Sequence, residues 1–342
     1  MENLVKFYKG SFLLFFLGVV AAYFLGGAEA VVIVLILCVL EISLSFDNAV
    51  VNATVLKDMN EVWRRRFLTW GILIAVFGMR IIFPVAIVSI VSGLSPWSAL
   101  TVAVEQPDVY AAYMTSAHVS IMAFGGAFLM MVGLSFFFDD EKDHWIPVLE
   151  KPVSQISSIP FASYIFAIAL VLVMGFFALS GEDSSTFLTA GLSGVLVFFV
   201  IEKLTEFMEN MEKKRAVEHA AKSGAAMFLY LEVLDASFSF DGVIGAFAIT
   251  TDIFIIAIGL GVGAMFVRSM TIMLVEKGTL QEYIYLEHGA FYAIIALASI
   301  MFIKTVGHVP EVLTGLIGAS FIGIAFVHSV IVKKKEKAAT AS

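Results

Sequence analysis

The chain has 342 residues, 60% of them hydrophobic and 15% charged, with a mean hydropathy of +0.95 and a formal net charge of −8. A soluble domain carries about 25% charged residues, so soluble enzymes and nucleic-acid-binding proteins are excluded and an all-α polytopic membrane protein is expected. The single Cys38 rules out an intrachain disulfide and a multi-cysteine metal site.

A helix that crosses a bilayer needs about 20 mostly apolar residues. Ten stretches meet that description, at 10–27, 30–56, 67–93, 117–138, 160–180, 186–206, 224–249, 252–276, 288–304 and 311–332. The first also resembles a signal peptide, with Lys6 and Lys9 ahead of an apolar run that ends in Ala28-Glu29-Ala30. The repeat described below needs a retained helix there. Loops on the N-terminal side hold eighteen basic residues, whereas the opposite side holds only Lys304. The positive-inside rule then places both termini in the cytoplasm, with the bacterial inner membrane as the expected location.

The second span carries Leu40-Glu41-Ile42-Ser43-Leu44-Ser45-Phe46-Asp47-Asn48, and the seventh carries Leu234-Asp235-Ala236-Ser237-Phe238-Ser239-Phe240-Asp241-Gly242. Acid, two serines, Phe and second acid repeat without a gap at an offset of 194 residues. Five spans separate the copies, so the second enters the membrane from the opposite side. Arg80 follows the first copy in mid-span and Arg268 follows the second; His118 opens the fourth span and His288 the ninth. The expected architecture is a 5+5 inverted repeat, with residues 1–180 and 181–332 as the halves and 333–342 as a disordered basic tail. Such repeats place substrate at mid-depth between the halves.

A charge at mid-depth costs about 3 kcal/mol or more, which marks these residues as a pathway or site. The donors Glu41, Asp47, Asn48, Glu232, Asp235 and Asp241 are all oxygen ligands, suited to hard divalent ions such as Mn²⁺, Mg²⁺ or Ca²⁺. Glu232 aligns with Cys38 in the other half, so it belongs either to the site or to the inner mouth of the pathway. Within each copy the two acids are six residues apart, about 120° around a helix, so they converge only if the helix breaks near Asp47 and Asp241. Arg80 and Arg268 either pair with Asp47 and Asp241 in the empty site or are permanent partners that keep buried acids charged. Five acids against two arginines leave an excess that a divalent cation and a proton would nearly neutralise, which makes metal/proton exchange plausible. His118 and His288 are candidate proton relays at the pathway ends or simply hydrogen-bonded helix ends. The acidic run at 137–144 is either a metal-collecting entrance or a solvated charge run, and the exterior loop 94–116 caps the outer mouth.

These motifs resemble the TerC family of membrane proteins. Its first pattern, Glu-Ile-x-Leu-x-x-Asp-Asn, is met by Glu41, Ile42, Leu44, Asp47 and Asn48, and its second, Asp-x-x-Phe-Ser-x-Asp-Ser, by Asp235, Phe238, Ser239 and Asp241. Gly242 replaces the final Ser, and ten spans exceed the family's usual seven to nine, which marks a divergent branch. The resemblance implies a LysE/TerC-like transporter that exports divalent metal, Mn²⁺ foremost, as substrate and without a permanent cofactor. An intramembrane aspartyl enzyme using Asp47 and Asp241, and a scaffold that loads metal into exported proteins, are the alternatives from other classes.

Overall fold

The computed structural model describes residues 2–139, 144–156, 159–214 and 224–340. Every regular element among them is a helix. Residues 140–143 of the acidic run lie outside the described residues.

Helix α1 (Glu2–Leu44) is apolar along almost all its length but leaves helical geometry at Gly26 and at Gly27, whose φ of 66° suits a residue without Cβ. The break falls where the first two expected spans meet. A second discontinuity, at Ser45, hands over to α2 (Phe46–Asp58). It is mild, because the Ser45 N–H still donates to the Glu41 carbonyl at 3.0 Å. The chain returns through α3 (Glu61–Leu73), capped by Asn60, then through a π-helical stretch, Ile74–Ile82, that carries Arg80, and on into α4 (Phe83–Ser92). Gly93, with φ of 70°, and Pro96 at the first turn of α5 (Pro96–Glu105) turn the chain by 105°. With α6 (Pro107–Ser116), α5 forms two short helices over one end of the bundle, with Tyr110 fully buried beneath them.

Next come α7 (His118–Phe137), the short α8 (Pro147–Ile156), α9 (Ala162–Val173) with a π-helical end, and α10 (Gly181–Lys214). Helix α11 (Gly224–Phe247) carries the second motif and passes through Asp241 without interruption, unlike its counterpart at Ser45. Its glycines serve close packing instead: a Cβ on Gly242 would lie 3.2 Å from Glu41 Oε2, and one on Gly245 would lie 2.9 Å from Glu311 Cγ. Asp252 caps α12 (Ile253–Glu276), accepting from the N–H groups of Phe254 and Ile255. A short α13 (Thr279–Glu282), α14 (Leu286–Lys304) and α15 (Glu311–Thr340) complete the chain. Helix α15 continues through the basic residues expected to be a disordered tail. Lys333 bonds Glu282 at 2.6 Å there, and the Lys/Glu/Ala composition favours helix.

Six helices among the described residues are long and apolar enough to cross a membrane: Lys6–Leu44, His118–Phe137, Gly181–Phe207, Ile253–Glu276, Leu286–Lys304 and Glu311–Lys335. The bent pair Phe77–Ser92 and Pro96–Glu105 makes seven if counted as one span. The protein is therefore an all-helical polytopic membrane protein. Helix α7 is the buried centre, packed between α10 and α14, while α12 packs along α1 and α2. Glycine sets the closest crossings, as is usual where helices associate in lipid. A Cβ on Gly194 would meet the Phe124 carbonyl oxygen at 2.4 Å, and one on Gly263 would meet Glu41 Cβ at 2.5 Å. Around this core, Phe24, Phe177 and Val312 turn bare apolar surface outward, as a lipid-facing surface requires.

Candidate functional site

The first motif, the second motif and both arginines meet at one point. A cavity of about 40 Å³ is lined by Glu41 and Ser45 from α1 and its end, Asn48 and Asn52 from α2, Arg80 from the π-helical stretch, Asp235 and Ser239 from α11, and Arg268 from α12. Arg80 Nη2 donates to Glu41 Oε1 in a fully buried ion pair, and Ser45 Oγ donates to the same oxygen at 3.1 Å. Asn52 Nδ2 donates to Asp235 Oδ1 at 2.7 Å, tying the second motif to the helix that continues the first. Arg268 donates to the Phe67 carbonyl and lies 5.0 Å from the centre of the Phe67 ring. Thus each arginine anchors a separate part of the wall.

Glu232 sits one turn before Asp235. Its two buried carboxylate oxygens have no hydrogen-bond partner among the described residues. Gly71 brings it close to Arg268: a Cβ there would lie 3.1 Å from Glu232 Oε1 and 3.4 Å from Arg268 Nη1. Asn48 Oδ1, Asn52 Oδ1 and Ser239 Oγ are likewise buried without a partner. Three carboxylates face two guanidiniums here, so one formal negative charge is left over.

The other two motif acids point elsewhere. Asp47 is buried, accepts the Asn48 N–H at 2.9 Å and faces α14 and α15, where its Oδ2 lies 3.4 Å from the Cβ position of Gly318. Asp241 is held by Lys304, a residue that sequence reasoning left without a role, with Nζ 2.5 Å from Asp241 Oδ1 and 3.7 Å from Glu311 Oε1. The available signal was its isolation as the one basic residue assigned to the outer side. Among the described residues, no three His, Cys, Asp or Glu side chains form a group that could hold a metal ion.

Two larger cavities flank the centre at opposite ends of α7, α11 and α14. The near cavity, about 540 Å³, lies where α7 ends and α11 and α14 begin, and its walls carry Asp58, Asp139, Glu202, Glu206 and Glu287. The far cavity, about 490 Å³, lies at the start of α7 and the ends of α11 and α14, and contains His118, Asp241, Lys304, His308 and Glu311. His288 belongs to the near end, 3.8 Å from Glu150 and edge-on to Phe136. Glu150 in turn accepts from the N–H groups of Trp145 and Ile146 and from the Tyr292 hydroxyl, which fastens α8 to α14.

Residues 46–336 match a family described as a protein of unknown function, DUF475. The chain belongs to the DUF475 family. The match takes in Asp47, Asn48, both arginines, Asp235, Asp241 and Lys304, and leaves out Glu41 and the first helix. No curated protein and no solved structure matches the chain.

Proposed function

We propose that this DUF475 protein is a secondary transporter for a small hard cation, with a divalent ion such as Mn²⁺ as its substrate, working by alternating access. The observation that carries the reading is a small cavity at the meeting point of the two motifs, lined in part by carboxylate, amide and hydroxyl groups, with a wider cavity at each end of the bundle. With about 40 Å³ of open space, the cavity has room for a small ion and a few waters. Carboxylate, amide and hydroxyl oxygens are the ligands that hard cations prefer. Asn48, Asn52 and Glu232 supply buried oxygens that no donor among the described residues satisfies.

In this reading Glu41 and Asp235 are the principal ligands, with Asn48 and Asn52 as neutral oxygens and Glu232 as a nearby reserve of charge. Arg80 and Arg268 balance part of the carboxylate charge when no ion is bound. Asp47 and Asp241 then belong to the passage between the centre and the two ends. They face different helices, which gives the aspartyl-enzyme reading no support.

Ten spans in an inverted repeat remain our reading of the topology. Lys6–Leu44 would extend ~58 Å if straight, about twice a bilayer core, so its glycine break divides it into two spans. Helix α11 is long enough to cross but is set apart by its own three acids, and Ala162–Ala178 falls just short of full length. Reciprocal packing supports the inversion: α12 lies against α1 and α2 as α3 and the π-helical stretch lie against α11, and α14 meets α2 as α7 meets α11. Gly71 and Gly259, separated by the same 188 residues as Arg80 and Arg268, each admit the facing motif helix, at Glu232 and at Leu37. The outermost helices depart from this symmetry, since the first half of α1 packs on α12 through Ser11 whereas α10 packs on α7. The basic-residue bias makes the near end cytoplasmic. The outward direction and the preference for Mn²⁺ come from the likeness to TerC proteins.

The test is Mn²⁺ flux into vesicles containing the purified protein, with and without a pH gradient. Asp235→Asn is expected to abolish flux while the protein remains monodisperse. Flux at the wild-type rate in both Asp235→Asn and Glu41→Gln would remove the central cavity from the pathway.

A further inference from the structure

We propose that Lys304 is a tethered cation that occupies the far-end station of the pathway, so that its ammonium and a transported cation bind Asp241 in turn. This rests on the cation-transport reading above and adds a residue to it.

The geometry is that of a filled cation site. The Lys304 and Asp241 side chains are 6% and 4% exposed, and the ammonium lies between two carboxylates, 2.5 Å from Asp241 and 3.7 Å from Glu311. Asp241 Oδ2 is buried with no hydrogen-bond partner among the described residues, and Asp241 lines the far cavity together with Lys304, Glu311 and His118. The site thus holds one positive charge, presents an unsatisfied carboxylate oxygen and opens onto space large enough for a hydrated ion.

The tether is built to move. Lys304 is the last residue of α14, and the chain makes only turns and irregular structure before α15 begins at Glu311. Its four-carbon stem allows the ammonium to withdraw into the cavity without unwinding the helix. The equivalent position in the other half carries no cation. The 170-residue offset that relates His118 to His288 places the buried apolar Leu134 opposite Lys304. Asp47, the counterpart of Asp241, accepts the Asn48 N–H at 2.9 Å.

A ligand on a short tether competes at an effective concentration on the order of millimolar. Lys304 therefore weakens capture of a cation arriving from the far end and reclaims Asp241 once an outgoing cation has left. A purely structural ion pair would have neither effect.

Mn²⁺ binding to the purified full-length protein, measured by equilibrium dialysis, separates the two. Lys304→Met is expected to bind Mn²⁺ about tenfold more tightly than wild type, while Lys304→Arg stays near wild type. The gain should disappear in Lys304→Met/Asp241→Asn. Equal affinity in wild type and Lys304→Met, or a gain that survives loss of Asp241, would overturn the proposal. If Lys304→Met does not fold, the wild-type chain answers through modification of Lys304 by an amine-reactive reagent, followed by mass spectrometry. Mn²⁺ should increase that modification several-fold, and unchanged reactivity would count against the proposal. Competition at Asp241 without any Mn²⁺ flux in vesicles would sink the transport reading alone. Flux without competition would sink the tethered cation alone.

Discussion

Burial of Glu41 and Arg80 is tolerable only as a pair, because each charge compensates the desolvation of the other. Removing one partner of a buried pair costs about 3–5 kcal/mol, whereas removing both is often neutral. Glu41→Gln should therefore lower the unfolding midpoint in detergent sharply, and Glu41→Gln/Arg80→Met should recover most of the loss. A double variant as unstable as the single one would show that Arg80 has a structural role independent of Glu41. Gly71 gives a second test at this scale. A Cβ there presses on both Glu232 and Arg268. Gly71→Ala should reduce Mn²⁺ flux well beyond any change in thermal midpoint, and a stability loss without a flux defect would separate Glu232 from the pathway.

At the scale of elements, the arginine positions depend on helix irregularities and glycine crossings more than on helix propensity. The π-helical stretch Ile74–Ile82 changes the register between α3 and α4, so Arg80 reaches inward from a helix whose neighbours Phe77 and Ile82 face outward. Glycine crossings fix how near the helices come. Gly194 on α10 faces backbone of α7, which cannot rotate away, so Gly194→Ala should destabilise by about 1–3 kcal/mol. Gly323 on α15 has nothing within 4 Å of its Cβ position, and Gly323→Ala should be neutral or stabilising by up to about 1 kcal/mol from propensity alone. Thermal unfolding of the two variants side by side checks the contrast, and equal effects would contradict the packing described.

For the whole molecule, the two end cavities and the basic-residue asymmetry define an axis. An impermeant thiol reagent can establish its direction, because the one native cysteine, Cys38, is buried and replaceable. On a Cys38→Ser background in intact cells, Gly307→Cys should label directly and Lys335→Cys only after permeabilisation. The reverse result would invert the topology. The acids of the near cavity should also gather cations over a Debye length of about 10 Å at 0.1 M salt. Asp58→Asn/Glu202→Gln is therefore expected to slow flux at low Mn²⁺ and low ionic strength, with the defect fading as salt is added.

How far the chain's chemistry could be read in advance depended on the range over which each feature acts. Composition alone established the membrane class, since hydropathy needs no partner. The repeated acid–serine–phenylalanine phrase and its following arginine singled out Glu41, Asp235, Arg80 and Arg268, which the fold gathers around one cavity. Helical spacing made convergence of acids six residues apart depend on a helix break near Asp47 and Asp241. In the structure α11 passes through Asp241 unbroken, the discontinuity at Ser45 is mild, and both aspartates lie away from the centre. Which neighbours they meet was decided by tertiary packing, because depth and rotation of one helix against another are fixed by glycine crossings far away in sequence. The same packing brought Lys304 to Asp241 across 63 residues and split six donors among the centre, its margin and two further places. Local pattern dictates which residues are charged within the membrane; only the packed bundle decides which of those charges meet.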